Sequence, residues 1–178
     1  VHFYDLVRWI LGSEAVSVVA TGSKKALLAG HGLDAYDCVN AKVEFANGAS
    51  VAFDTSWVLP KGFEAIVNQG LRLVGTKGLF ECDSQDRGSR SCIDGEGMAT
   101  YNNNFRREMI DRTGRRVWRG YGFESIEDFA GNAAFLLAGG RIDDLKGVWA
   151  SGRDGLEATR IAVAVHESLA SGRTVRLR

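Results

Sequence analysis

The sequence has 178 residues, 45% hydrophobic and 25% charged, an ordinary composition for a globular domain with a sizeable core. Lys and Arg number 22, as do Asp and Glu, and the net charge of zero argues against general attraction to nucleic acid or an anionic membrane. No apolar run approaches the roughly 20 residues of a membrane-spanning helix, and the three cysteines suit reduced, buried or half-buried thiols of a cytoplasmic protein better than a zinc site or disulfide framework.

The chain opens with an amphipathic helix, VHFYDLVRWILG, in residues 1–12. Its apolar residues recur with helical spacing, and Gly12 suits the left-handed conformation that ends many helices. Because His2 and Asp5 lie three residues apart, they share one helix face with Arg8.

A run of strands follows this helix. The segment AVSVVAT predicts a strand over 15–21, and the polar residues 22–35 predict a loop. Apolar and polar residues alternate on both sides of Asn47-Gly48 within 39–57, which predicts an antiparallel hairpin with a tight turn of positive φ angles. Further strands are expected at 63–69, 71–75 and 79–83, and near 91–94 and 115–119 within an otherwise irregular stretch over 84–122.

Helices return in the last third of the chain. Ser125 and Asp128 have the spacing of a capping box and open a predicted helix that ends at Gly139-Gly140. A longer helix is predicted over 154–171, followed by a closing strand over 174–178. Grouped strands flanked by helices predict an α+β fold with an open, mostly antiparallel sheet. The helices can cover one sheet face, so the other face is expected to pair with a second copy of the chain.

Five segments, in order and spacing, resemble the C-terminal half of the Gfo/Idh/MocA oxidoreductases. They are VHFYDLVRWILG, YDCVNAKVEFANGASVAFDTSW, LRLVGTKGLFECD, GYGFESIEDF and GRDGLEATRIAVAVHESLASGRTVRL. The resemblance implies a single substrate-binding and oligomerisation domain over 1–178, with a fold like the C-terminal domain of glyceraldehyde-3-phosphate dehydrogenase. The family's Rossmann half has no counterpart here, because the turn in GTKGLF lies between strands and lacks a following helix N-terminus. We therefore expect the chain to begin at the seam between the two halves and to be inactive alone.

For the complete protein, the resemblance implies oxidation or reduction of a secondary alcohol on a sugar or cyclitol, as in inositol dehydrogenases. The cofactor would be NAD or NADP, bound mainly by the missing domain, and no metal is implied. The expected partners are a sugar or polyol substrate and further copies of the chain, without nucleic acid or membrane. The alternative is a non-catalytic sugar-sensing or oligomerisation module derived from the same family.

His2 aligns with the family's catalytic histidine. A hydride leaves carbon only if the hydroxyl proton also leaves, and an imidazole is a suitable base near neutral pH. The alternative for His2 is a partly exposed histidine at a frayed terminus. Asp5 aligns with a family aspartate near the substrate hydroxyls, and its alternative role is pairing with Arg8.

Tyr36 and Asp37 align with a Tyr-Asp pair at the start of the matching strand in inositol dehydrogenases, where the tyrosine faces the substrate. A phenol and a carboxylate can both hydrogen-bond a polyol. The alternative is a strand-entry tyrosine packed on the sheet edge. His31 and His166 receive no function, and the basic stretch 104–120 is interrupted by acidic residues, which favours a solvated face or a subunit contact over nucleic-acid binding.

Overall fold

The computed structural model describes residues 1–60, 62–63, 68–82, 89–101 and 106–177, and only the backbone of 89–91 and 97–101. These residues form two compact units, one of Val1–Leu59 with Leu145–Arg178 and one of Pro60–Asp144. The single domain expected over 1–178 stays a prediction.

The helices and strands are, in chain order, α1 (His2–Leu11), β1 (Ala15–Ser23), α2 (Ala26–His31), β2 (Cys38–Phe45), β3 (Ser50–Ser56), β4 (Leu71–Gly75), β5 (Gly78–Cys82), β6 (Ser89–Ile93), β7 (Gly97–Tyr101), β8 (Arg107–Ile110), β9 (Arg116–Arg119), α3 (Phe123–Leu137), α4 (Gly152–Ser171) and β10 (Val175–Arg176), with a short 3₁₀ helix at Ile142–Leu145 before α4. The predicted α+β class with mostly antiparallel strands is confirmed.

The first unit is built on a four-stranded antiparallel sheet in the order β10-β1-β2-β3. Helix α4 packs on the face where Val18 of β1 pairs with Val43 of β2. Both valines are fully buried, and Ile161 and Val165 of α4 are also buried. The predicted alternation along β2 is confirmed, because Lys42 on the other face is exposed.

Helix α1 lies against the β2–β3 hairpin. The ring of Tyr4 meets Phe53 of β3 edge-on, with centroids 4.7 Å apart. At the other end of α1, the Asn47 side chain donates to the carbonyl of Leu11 at 3.2 Å, and Asn47 belongs to the hairpin turn. The helix therefore runs from the end of the sheet where β2 begins toward the β2–β3 turn.

The turn of this hairpin differs from the predicted one. The amide of Gly48 donates to the carbonyl of Phe45 at 2.9 Å, and Gly48 has φ 86°. Asn47 does not share the positive φ. Its side-chain oxygen accepts the amide of Ala49 at 3.0 Å, which favours a three-residue connection with a glycine bulge over the tighter two-residue turn.

One helix was not predicted, and the start of another was predicted wrongly. Residues 22–35 contain α2 rather than only a loop, and α3 begins at Phe123, before the expected cap at Ser125. The Ser125 hydroxyl donates back to the carbonyl of Gly122 and caps no amide. The capping box lies at the start of α4, where Ser151 and Asp154 bond each other's backbone amides.

In the second unit, the described residues form the two-stranded antiparallel hairpins β4–β5, β6–β7 and β8–β9, together with α3. The strand at 71–75 is confirmed, and the strand at 79–83 is matched by β5 up to its last residue. Residue 83 and most of the strand expected at 63–69 lie outside the described residues. The stretch 84–122 is more regular than expected, since β7 and β8 were not predicted.

The structure also bears on the expectations about thiols and membranes. Cys38 is half-buried as expected, whereas Cys82 and Cys92 are exposed, and all three are free. In the described part of the chain, no helix combines the length and hydrophobicity that crossing a bilayer requires.

Candidate functional site

His2 is the first residue of α1 and is exposed. The contact of Tyr4 with Phe53 and that of Leu11 with Asn47 fix the direction of this helix. With a rise of about 1.5 Å per residue, His2 lies roughly 13 Å along the helix from Leu11. It therefore lies toward the end of the sheet where β2 begins and β3 ends.

Tyr36 lies at this same end of the sheet, two residues before β2. Its ring packs against the backbone of Gly22 in β1, where a Cβ atom would lie 2.8 Å from Cδ1 of the ring. The side chain is half-buried. Its contact with β1 agrees with the alternative interpretation, a strand-entry tyrosine packed on the sheet edge. The fold thus brings His2 and Tyr36 toward one end of the first unit.

Asp37 occupies a different environment from its neighbour and is only 3% exposed. Its carboxylate accepts the backbone amides of Ala26 at 2.7 Å, Leu27 at 2.8 Å and Lys25. The amide of Leu27, followed by that of Lys25, lowers the pKa of Asp37 below its usual range. Asp37 thus caps the N-terminus of α2.

Asp5 lies one turn after His2 and accepts Nη1 of Arg8 at 3.0 Å. This is the helix-surface pair that the alternative interpretation predicted. The Asp5 side chain is 36% exposed, so it is also accessible from solvent.

Arg8 is a buried charge that sequence reasoning noted only as a neighbour of Asp5. It is 6% exposed and bonds Glu14 through Nε and Nη2, with Asp154 of α4 at 3.5 Å. The bond from Arg8 holds the pKa of Glu14 below its usual range. This network joins α1 to the N-terminus of α4. The feature of the sequence that could have indicated this network is an arginine on the apolar face of an amphipathic helix.

The remaining sequence candidates lie elsewhere. His31 ends α2 and His166 lies on α4, and both are exposed. In the second unit, the described part of the basic stretch, from Arg106 onward, includes the β8–β9 hairpin. Arg106 lies 4.6 Å from the ring centroid of Trp118, and Arg116 pairs with Glu108 at 3.1 Å. These contacts favour a solvated, internally paired surface.

The described residues contain no strand–helix–strand unit of the dinucleotide-binding type. All strand pairs in the described part of the chain are antiparallel, so the parallel strand–helix–strand unit of dinucleotide-binding folds is missing there. The turn at Lys77 joins two antiparallel strands, and the amides that open α2 are occupied by Asp37. Among the described residues, no three His, Cys, Asp or Glu side chains cluster in a way that could hold a metal ion.

A protein-family model matches nearly the whole chain. The model described as "Oxidoreductase family, C-terminal alpha/beta domain" matches residues 1–177. Among curated proteins, none matches the chain.

The solved structures that share this fold include the following three. GenD2 from gentamicin A biosynthesis, in complex with NAD, is 20% identical with a TM-score of 0.67, over 99% of this chain and 46% of that one. A myo-inositol dehydrogenase from Corynebacterium glutamicum is 21% identical with a TM-score of 0.62, over 99% and 47%. An aldose-aldose oxidoreductase from Caulobacter crescentus, complexed with glycerol, is 22% identical with a TM-score of 0.61, over 99% and 45%. At such identities the likeness shows the fold, and the chain spans less than half of each.

Proposed function

The chain belongs to the Gfo/Idh/MocA oxidoreductase family as its C-terminal alpha/beta domain, and we propose that it is the substrate-binding half of an NAD(P)-dependent enzyme. The substrate class is a sugar or cyclitol with a secondary alcohol. The three structural neighbours named above support this class, since one acts on myo-inositol, one on aldoses, and one is bound to NAD. In this proposal, another part of the complete protein binds NAD or NADP.

The observation that carries the proposal is the placement of His2 and Tyr36 toward one end of the sheet in the first unit. An imidazole and a phenol offer a base and a hydrogen-bonding group for a polyol. His2 is exposed at the start of α1, so a substrate hydroxyl can approach it.

In the proposed reaction, the imidazole of His2 takes the proton of the substrate hydroxyl that is oxidised. Tyr36 bonds a neighbouring hydroxyl and orients the ring of the substrate. Asp5, one helical turn from His2, is the second candidate for a substrate hydroxyl. The nicotinamide supplies the hydride acceptor.

The role proposed for Asp37 differs from the substrate contact that the resemblance implied. Its oxygens already accept three backbone amides, and the side chain is buried. We assign it the role of anchoring the segment that carries Tyr36, without direct contact to the substrate.

The open face of the sheet is the proposed contact with a second copy. Val19 pairs with Lys42 across β1 and β2, so both side chains lie on the face opposite the buried Val18 and Val43. Val19 is 39% exposed there, which leaves an apolar side chain available for burial between copies.

The experiment is a turnover assay of the complete protein against sugars and inositols with NAD and with NADP, alongside the isolated 178-residue chain. We expect turnover by the complete protein with at least one polyol, and none by the isolated chain. Sugar binding without turnover in the complete protein would support the sensing module instead. The absence of both binding and turnover would contradict the proposed substrate class.

A further inference from the structure

Lys24 follows β1 and contacts the ring of Tyr36. Its Nζ atom lies 4.7 Å from the ring centroid and 2.8 Å from Oδ1 of Asp34. The side chain of Asp34 is 78% exposed, whereas the side chain of Lys24 is 34% exposed and therefore partly buried. The ammonium group is thus held from two sides, by the face of an aromatic ring and by a carboxylate.

The backbones that carry Lys24 and Tyr36 are fixed to each other by Asp37. The amide of Asp37 donates to the carbonyl of Ser23 at 2.8 Å, and its carboxylate accepts the amide of Lys25. These bonds flank Lys24 on both sides, and Asp37 is the direct neighbour of Tyr36. The position of the Lys24 cation relative to the Tyr36 ring is therefore set by hydrogen-bonded backbone rather than by two mobile loops.

Gly22 gives the ring its second contact. A Cβ atom there would lie 2.8 Å from Cδ1 of Tyr36 and 2.8 Å from the carbonyl oxygen of Cys38. The ring thus packs on bare strand backbone while Lys24 lies over its face. With the ring restricted in this way, the direction of the phenol hydroxyl is also restricted.

We propose that Lys24 is a positioning residue of this site, which holds the ring of Tyr36 so that its hydroxyl meets a substrate hydroxyl in one orientation. The inference rests on the proposed function, because it needs Tyr36 to bind substrate. Lys24 itself acts through the ring and not on the reacting atoms. Since the contact between Tyr36 and a substrate hydroxyl exists before and during the reaction, loss of Lys24 should raise KM and leave kcat nearly unchanged.

The test compares Lys24→Met with Lys24→Arg in the complete protein, using a polyol that the wild type turns over. Methionine keeps the length of the side chain and removes the charge, whereas arginine keeps a cation that can lie on the ring and pair with Asp34. We expect Lys24→Met to raise KM roughly two- to fivefold, the size of one exposed cation–π contact. Lys24→Arg and the charge control Lys77→Met, in the exposed β4–β5 turn, should stay near the wild-type KM.

A double-mutant cycle with Tyr36→Phe separates positioning from a general effect of charge. Phenylalanine keeps the ring and removes the hydroxyl, so Lys24→Met should raise KM no further in that background. Asp34→Asn is the second variant, and it should raise KM in the same direction, because it releases the ammonium group from its carboxylate. An active wild type with unchanged KM in Lys24→Met, or additive effects in the cycle, would overturn this inference alone. A complete protein without turnover would overturn the proposed function and this inference with it.

Discussion

Arg8 and Glu14 form a bidentate ion pair, in which Nε and Nη2 of Arg8 each lie 2.7 Å from a carboxylate oxygen of Glu14. Arg8 is buried, and its removal would leave the carboxylates of Glu14, Asp5 and Asp154 without their shared cation. We expect Arg8→Met to lower the free energy of unfolding by about 2 kcal/mol, less than for a fully buried pair because the carboxylates are partly exposed.

The measurement for Arg8 is urea denaturation, with Arg160→Met as the matched control. Arg160 is 44% exposed and pairs with Glu157 at 3.0 Å, and Glu157, which is 12% exposed, also pairs with Nε of Arg153 at 2.7 Å. Because Glu157 keeps Arg153 as a cation, the loss of the exposed Arg160 should cost no more than about 0.5 kcal/mol. Equal losses in the two variants would contradict the proposed importance of the buried network.

Asp37 should make the folded state sensitive to acid. Its pKa is lowered in the folded protein, chiefly by the amide of Leu27 and then that of Lys25. A carboxylate with a lowered folded pKa contributes stability above its unfolded pKa, near 3.9, and that contribution is lost as the pH falls toward the folded value. We therefore expect the Tm of the wild type to fall below about pH 4, and Asp37→Asn to lower Tm at pH 7 and flatten the acid dependence.

Asp54→Asn is the control for this pH series, because Asp54 is an exposed aspartate of β3. It should leave both Tm and the acid dependence close to the wild type. Thermal unfolding followed by circular dichroism from pH 3 to pH 7, over the range given by the reference pKa values, checks the prediction. An acid dependence in Asp37→Asn as steep as that of the wild type would contradict it.

The parts of the fold that were predictable are those whose signal is local and periodic. The alternation around Val43 located a hairpin, because one face of a half-buried sheet must be apolar. Ser125 and Ser151 both precede an aspartate by three residues, and only the second pair forms a capping box. The sequence pattern alone does not tell which serine lies at a helix start, since the packing of the helix decides its first residue.

The contacts that depend on distant segments were not predictable from spacing. Asp37 was assigned to substrate because it aligns with the Tyr-Asp pair of inositol dehydrogenases, but its carboxylate accepts amides about ten residues earlier in the chain. Lys24 reaches the ring of Tyr36 only because Asp37 brings their segments together. Such pairings follow from how loops pack between strands, and nothing periodic in the sequence indicates them.

Ser168 is a buried polar residue that ties α4 to the sheet and to the loop before β10. Its hydroxyl accepts the amide of Ala20 at 2.9 Å and donates to the carbonyl of Arg173 at 2.7 Å. The side chain is fully buried, so Ser168→Ala would leave two backbone groups without their partner. We expect a loss of about 1–3 kcal/mol in the free energy of unfolding.

The control for Ser168 is Ser171→Ala, one helical turn later. Ser171 is exposed and donates to the carbonyl of Glu167 at 2.7 Å, which water can replace. Denaturant unfolding of both variants should show a large loss only at residue 168. A loss at residue 168 below about 0.5 kcal/mol, the usual range for surface changes, would show that the two backbone groups find other partners.

Val19 tests whether the open face of the sheet pairs with a second copy. A stable interface buries on the order of 1,200 Å² or more, and a long arginine side chain on that face should prevent its formation. We expect the wild type to sediment as a dimer or larger oligomer, and Val19→Arg as a smaller species with an unchanged circular dichroism spectrum. Val163→Arg on α4, where Val163 is 51% exposed, is the control that should keep the wild-type mass. A monomeric wild type at high micromolar concentration would contradict the proposed interface.

His2 is the residue whose substitution separates chemistry from folding most clearly. It is exposed at the first turn of α1, so His2→Ala should change the free energy of unfolding by no more than about 0.5 kcal/mol. Loss of a general base should lower kcat of the complete protein by about 10²–10⁴-fold.

Tyr36→Phe and Asp5→Asn should instead raise KM, because their hydrogen bonds to substrate hydroxyls form in the ground state as well as in the transition state. His166→Ala, an exposed histidine on α4, is the control and should leave both constants unchanged. Full activity of His2→Ala, or a large loss of its thermal stability, would show that His2 is a structural histidine.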